Sequence, residues 1–157
     1  MKLDRPDESI PDDPDQRKNF ADSIYEEYAL TKPDVMVVWA GKFFHAADYS
    51  DSLRFYEAAI RKYPNCIYDQ NWPFYAADLV LDKKTINGWA EFDRMMVAVK
   101  AGSGRFGTGR GLLDLGSALQ EAKVALMPRL RMYPSEYSKM TNIIFQVDAF
   151  EMQRIER

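Results

Sequence analysis

PDVMVVWAGKFFHAADYSDSLRFYEAAIRKYP, residues 33–64, reads as two helices folded back on each other. Pro33 suits a first helical turn, where a missing N–H loses no partner, and Asp34 complements the positive end of that turn. Thr31 is the expected cap, and the helix is expected to run to about Ala46. The turn Ala47-Asp48-Tyr49, with Ser50 as cap, opens a second helix whose inward face is Leu53, Tyr56, Ala59 and Ile60, and Pro64 stops it. Small Ala40 and Ala59 let the helices approach closely, while Phe43, Tyr49 and Tyr56 fill the crossing with aromatic bulk.

Trp39, Ala40, Phe43, Tyr49, Leu53, Tyr56, Ala59 and Pro64 follow the order large apolar, small, aromatic, small and terminal proline, and in this the stretch resembles a tetratricopeptide repeat. Ala40 stands where that family prefers glycine and Ser52 where it prefers alanine, so both keep the small volume that packing needs. The match covers about a fifth of the chain. Further on, Trp89, Phe92, Met95 and Met96 resemble the pentatricopeptide family, whose hairpins carry an aromatic followed by methionine, although the spacing from Met95 to Gly102 is longer. The resemblance implies an all-α fold, a short right-handed stack of antiparallel helical hairpins that serves as a docking scaffold. One repeat cannot be stable alone, so the divergent hairpins on either side are expected to act as caps.

Working outward, Phe20, Ile24 and Tyr28 recur at four-residue spacing and predict a helix over roughly 15–30. Asn71 can cap a helix through about Leu81, and Thr85 can start another that ends at Gly102. A last pair is expected over roughly 111–127 and 135–155, the latter with Tyr137, Met140, Ile144, Val147 and Phe150 on one face. That makes seven helices, with strands few or absent. Residues 1–16 hold six acids against two bases and three prolines, so they are expected to form an extended acidic arm lying along a partner surface, ahead of a single helical domain over 17–157.

The chain has 157 residues, 46% hydrophobic and 29% charged, with a net charge of −3 and a pI near 5.2. This is enough to bury a core, and the acidic balance argues against broad affinity for nucleic acid or anionic membranes. The single cysteine, Cys66, excludes an internal disulfide and reads as a small semi-buried hydrophobe. Apolar runs such as residues 35–41 fall well short of the roughly 20 residues that a bilayer requires. The N-terminal MKLDRPDESIPDDPD lacks a secretory apolar core and is too acidic for a transit peptide. The expected compartment is the mitochondrial matrix, after removal of a presequence, with the cytosol as the alternative.

AGSGRFGTGRG, residues 101–111, holds five of the eight glycines and contains G-x-G-x-x-G at Gly102, Gly104 and Gly107. A dinucleotide site needs that pattern between a strand and a helix, whereas here a helix precedes it, and no lysine followed by serine or threonine closes a phosphate loop. The stretch reads first as a connector. Its binding alternative uses Arg105 and Arg110 on a partner carboxylate or phosphate, with Phe106 as an apolar anchor. Residues 100–131 carry six bases and two acids, opposite in sign to the arm, where Asp12 and Asp13 are the candidate contacts. Between Tyr63 and Tyr75, packing accounts for most of the aromatic rings, and Trp72 is the candidate anchor.

The only histidine, His45, has no second histidine or cysteine nearby, so no zinc site of usual spacing can be drawn. Ser103 lies in G-S-G rather than a nucleophile elbow. No catalytic, metal or cofactor site is therefore expected. The expected function is that of a non-catalytic accessory subunit binding other protein subunits of a large assembly, such as a mitochondrial respiratory complex or ATP synthase. In size and hairpin makeup the chain is similar to the small pentatricopeptide-like subunit of the euglenozoan ATP synthase head. The alternatives are an RNA-binding pentatricopeptide-like module, which needs a basic groove, and a peptide-binding cochaperone that would use bases such as Lys42 and Arg54.

Overall fold

A computed structural model describes residues 8–155. It is all-α: among the described residues there are seven α-helices, one short 3-10 turn and no strand. The first seven residues of the acidic arm lie outside the described residues. The chain divides into two compact units, Met1–Ile67 and Tyr68–Arg157.

The first unit contains α1 (Pro14–Tyr28), α2 (Pro33–His45) and α3 (Tyr49–Lys62). Asp13 caps α1, its Oδ2 accepting from the Gln16 N–H at 3.0 Å, so the helix begins one residue before the predicted start. Lys32 occupies the cap position of α2. The Thr31 hydroxyl donates back to the Glu27 carbonyl at 3.4 Å and does not cap. Asp48 takes the cap of α3 in place of Ser50, because its Oδ1 already accepts from the Asp51 N–H at 3.2 Å. Between α2 and α3, Ala47 turns the chain with φ +62°.

α2 and α3 pack as an antiparallel pair. Trp39, Ala40, Phe43, Tyr56 and Ala59 are all fully buried, as the close approach requires. Phe55 is fully buried too, its ring 5.1 Å from Phe43 in an edge-on contact. α1 covers the hairpin, with Phe20 edge-on to Trp39 at 5.4 Å and Ile24 buried. Each large side chain sealed in this way contributes about 1.5–3 kcal/mol, and together they outweigh the weak helix propensity of so many aromatics.

The second unit contains α4 (Trp72–Leu81), α5 (Thr85–Ala101), α6 (Gly109–Leu130) and α7 (Pro134–Ile155), with the 3-10 turn at Gly104–Gly107. α4 pairs with α5 and α6 with α7; α4 also packs on α6 and α5 on α7, so one hairpin covers the other. Gly88 lets α4 and α5 come together: a Cβ there would collide with the Val80 side chain and lie 2.7 Å from the Ala76 carbonyl. α5 ends at Gly102 in the left-handed region, where the Ser103 N–H closes back on the Ala98 carbonyl at 3.3 Å. α6 runs past its expected end at Met127 and through Pro128. Pro128 brings no N–H to the Val124 carbonyl, so one helical bond is lost there, while the last turn still closes through the Arg131 N–H on the Met127 carbonyl at 3.0 Å.

Candidate functional site

The Gly/Arg connector is held from below. Arg154 of α7 donates from Nε to the Phe106 carbonyl at 3.1 Å and from Nη2 to the Val99 carbonyl at 3.4 Å. Its guanidinium satisfies acceptors at the end of α5, where a cation also suits the negative helix end. Phe106 points inward and is buried, its ring 6.1 Å from that of Trp72, which is buried as well. Trp72 Nε1 donates to Glu91 Oε2 at 2.9 Å. Arg94 then ties Glu91 Oε1, at 2.6 Å, to the Tyr68 hydroxyl, at 3.0 Å.

Arg105, Phe106 and Trp72 are thus brought to one place, but both rings are used inside the unit. Arg105 lies 3.8 Å from Asp69 Oδ2 and donates to Gln70 Oε1 at 3.3 Å. Arg110 stands apart in the first turn of α6, its side chain exposed and 3.5 Å from Asp114. Of the candidates on the arm, Asp13 serves as the cap of α1 and Asp12 is exposed at the preceding bend. Glu8, Ser9 and Ile10 border an open groove of about 630 Å³ together with Val38, Gly41, Lys42 and His45 of α2.

A charge cluster joins α1 to α3. Arg54 donates to Asp22 at 2.8 Å and lies 3.0 Å from Asp51, while Arg17 sits 3.6 Å from Asp48. Burial, then the neighbouring Asp48, push the Asp51 carboxyl up to about 6, and the opposing pull of Arg54 does not offset them. Lys42 lies over the Trp39 ring at 5.0 Å. Both bases considered for a carboxylate clamp therefore have partners within the first unit.

A groove that the sequence reading did not identify lies between the N-terminal turns of α5 and α7. It encloses about 530 Å³ and is lined by Thr85, Ile86, Trp89, Ala90, Asp93, Ser135, Glu136 and Lys139. Trp89, only 8% exposed, is the one buried residue among these. Its Nε1–H is buried without a hydrogen-bond partner. A donor left in that state costs about 1–3 kcal/mol. The charges at the rim are matched already: Lys139 lies 3.2 Å from Asp93, and Arg129 grips Glu136 through two bonds of 2.8 and 2.9 Å. In the sequence Trp89 stands out only as part of the pentatricopeptide-like run with Phe92, Met95 and Met96, and no pattern in a sequence reports whether an indole N–H finds an acceptor.

Among the described residues, no three His, Cys, Asp or Glu side chains gather in a way that could hold a metal ion, and no helix is long and apolar enough to cross a membrane. No protein-family model, curated protein or solved structure matches the chain.

Proposed function

We propose that this protein is a non-catalytic accessory subunit that binds neighbouring subunits of a large protein assembly through its helical hairpins. The observation that carries the reading is a second apolar stripe on α7. Met140, Ile143, Ile144 and Val147 face the core, yet Phe145 (73% exposed), Ala149 and Met152 (63% exposed) recur at four- and three-residue spacing on the outer face. A helix that needs only one apolar face to fold carries the other at a cost in solubility, and that cost is offset where a partner covers it.

Supporting features are the tetratricopeptide-like hairpin of α2 and α3 and the exposed Arg110, whose only ionic contact among the described residues is the solvent-facing pair with Asp114 at 3.5 Å, weak enough to exchange for a carboxylate on a neighbour. A mitochondrial respiratory complex or ATP synthase is the proposed assembly class, and the matrix side the proposed compartment, on the strength of the size and hairpin makeup of the chain. The acidic pI weighs against the RNA-binding alternative. Native electrophoresis of the endogenous protein tests the reading: a subunit co-migrates with an assembly, and replacement of Phe145 and Met152 by glutamate releases it.

A further inference from the structure

We propose that the groove between the first turns of α5 and α7 is a docking site for an uncharged protein segment, which places a main-chain carbonyl on Trp89 Nε1–H and an apolar side chain against Ile86. The inference rests on the binding role argued above and names one surface that performs it.

The choice of occupant follows from what the groove still needs. Its cations and anions are already matched, Lys139 with Asp93 and Glu136 with Arg129. An added carboxylate or ammonium would have to break one of these pairs and would gain little from the exchange. The unmet requirement is one acceptor for one neutral donor, and a peptide carbonyl supplies that without a charge to desolvate. Beside it, Ile86 is 85% exposed, the highest value among the large hydrophobics of the described residues, and Ala90 continues the same face of α5 one turn on. An indole donor next to an exposed aliphatic wall matches the alternation of polar main chain and apolar side chain in a peptide.

Access to the indole requires a movable cover. Lys139 Nζ lies over the Trp89 ring at 5.4 Å, and its ion pair with Asp93 is solvent-facing. Such pairs are weak and rearrange readily, so Lys139 can swing aside when a segment arrives. A buried hydrogen bond gained by the indole outweighs the surface pair that is disturbed.

The test uses the isolated full chain and a defined probe, N-acetyl-leucine N-methylamide. The chain has three tryptophans, so three indole N–H signals are expected in a nitrogen–proton correlation spectrum, and Trp89→Phe identifies the one that matters. The expected result is a saturable downfield shift of the Trp89 signal, with a dissociation constant on the order of 1 mM for so small a ligand. The glycine analogue should bind about tenfold more weakly, having no side chain to set against Ile86. Ile86→Ser, at an exposed position that leaves folding intact, should weaken the leucine probe by a similar factor. The Trp72 signal, already bonded to Glu91, should stay in place.

No movement of the Trp89 signal would overturn the proposal, as would equal responses to the leucine and glycine probes. An equal response to sodium acetate would make the site a carboxylate site and also overturn it. A shift that depends on protein concentration without any probe would assign the groove to a second copy of the chain, contrary to the proposal. A silent Trp89 signal in a protein that still co-migrates with an assembly overturns the groove alone and leaves the subunit reading standing.

Discussion

Arg54 Nη1 and Asp22 Oδ1 are 2.8 Å apart, and their bond joins the middle of α3 to the middle of α1. The guanidinium also stacks on Tyr25 at 4.9 Å and Phe55 at 5.5 Å, so one side chain holds α1 by charge and by ring contact. Both ionic partners are partly exposed, which discounts the ionic part to about 0.5–1 kcal/mol, and the cation–π part adds a similar amount. Arg54→Ala should therefore destabilise the protein by about 1–2 kcal/mol in denaturant unfolding. Arg54→Lys should recover less than half, because an ammonium cannot stack and bridge at once. An unchanged midpoint in both variants would show that α1 is held by its apolar face alone.

Asp51 gives stability a pH dependence whose direction is opposite to that of most carboxylates. Its folded pKa is raised to about 6 from an ordinary 3.8. Between those values the folded state binds more protons than the unfolded one, so this group's contribution is fully present below about pH 4 and is lost as pH rises through 6. Asp51→Asn should stabilise the protein at pH 7.5 by about 1–2 kcal/mol, after discounting the shift for solvent screening, and the gain should vanish near pH 3.5. Melting curves of both proteins across that range measure it. A gain that grows toward low pH would contradict the assignment.

Gly88 is where α4 and α5 touch. A methyl group there meets the Val80 side chain and two main-chain atoms at 2.7 Å, which cannot move without parting the helices. Gly88→Ala should cost about 1–3 kcal/mol of strain, more than the roughly 1 kcal/mol that alanine adds in helix propensity. The expected net effect is destabilisation, read by urea unfolding. A more stable variant would mean that α4 and α5 separate freely.

Ala47 carries a left-handed backbone, φ +62°, just past the end of α2, a position that glycine usually fills. An L-residue there costs about 1–2 kcal/mol, and glycine gives back about 0.4–1 kcal/mol through the entropy of the unfolded chain. Ala47→Gly should stabilise by about 0.5–1 kcal/mol, seen as a higher melting temperature with the same circular dichroism spectrum.

The helices were legible in the sequence because their apolar spacing is strong, as Trp39, Ala40 and Phe43 show on α2. Their caps were less so. Asp48 and Ser50 are both good caps two residues apart, and only the folded turn decides between them. Phe55 falls off the Leu53–Tyr56–Ala59–Ile60 face assigned to α3 and is buried because α1 lies across the hairpin, with Tyr25 6.2 Å from its ring. Such a contact depends on where a third helix docks. For the connector, arginines and glycines marked a loop of unusual chemistry, but the inward turn of Phe106 follows from Arg154, 48 residues away, and no local pattern announces it.

The central claim is that the protein works as a bound subunit, and the most direct measurement is native electrophoresis of gently solubilised cells or organelles, probed for the endogenous chain. The account predicts a band far above the 18.2 kDa of the free chain, lost when Phe145 and Met152 are both replaced by glutamate, substitutions at exposed positions that leave the helical spectrum unchanged. Migration of the endogenous protein only as a free monomer would contradict it.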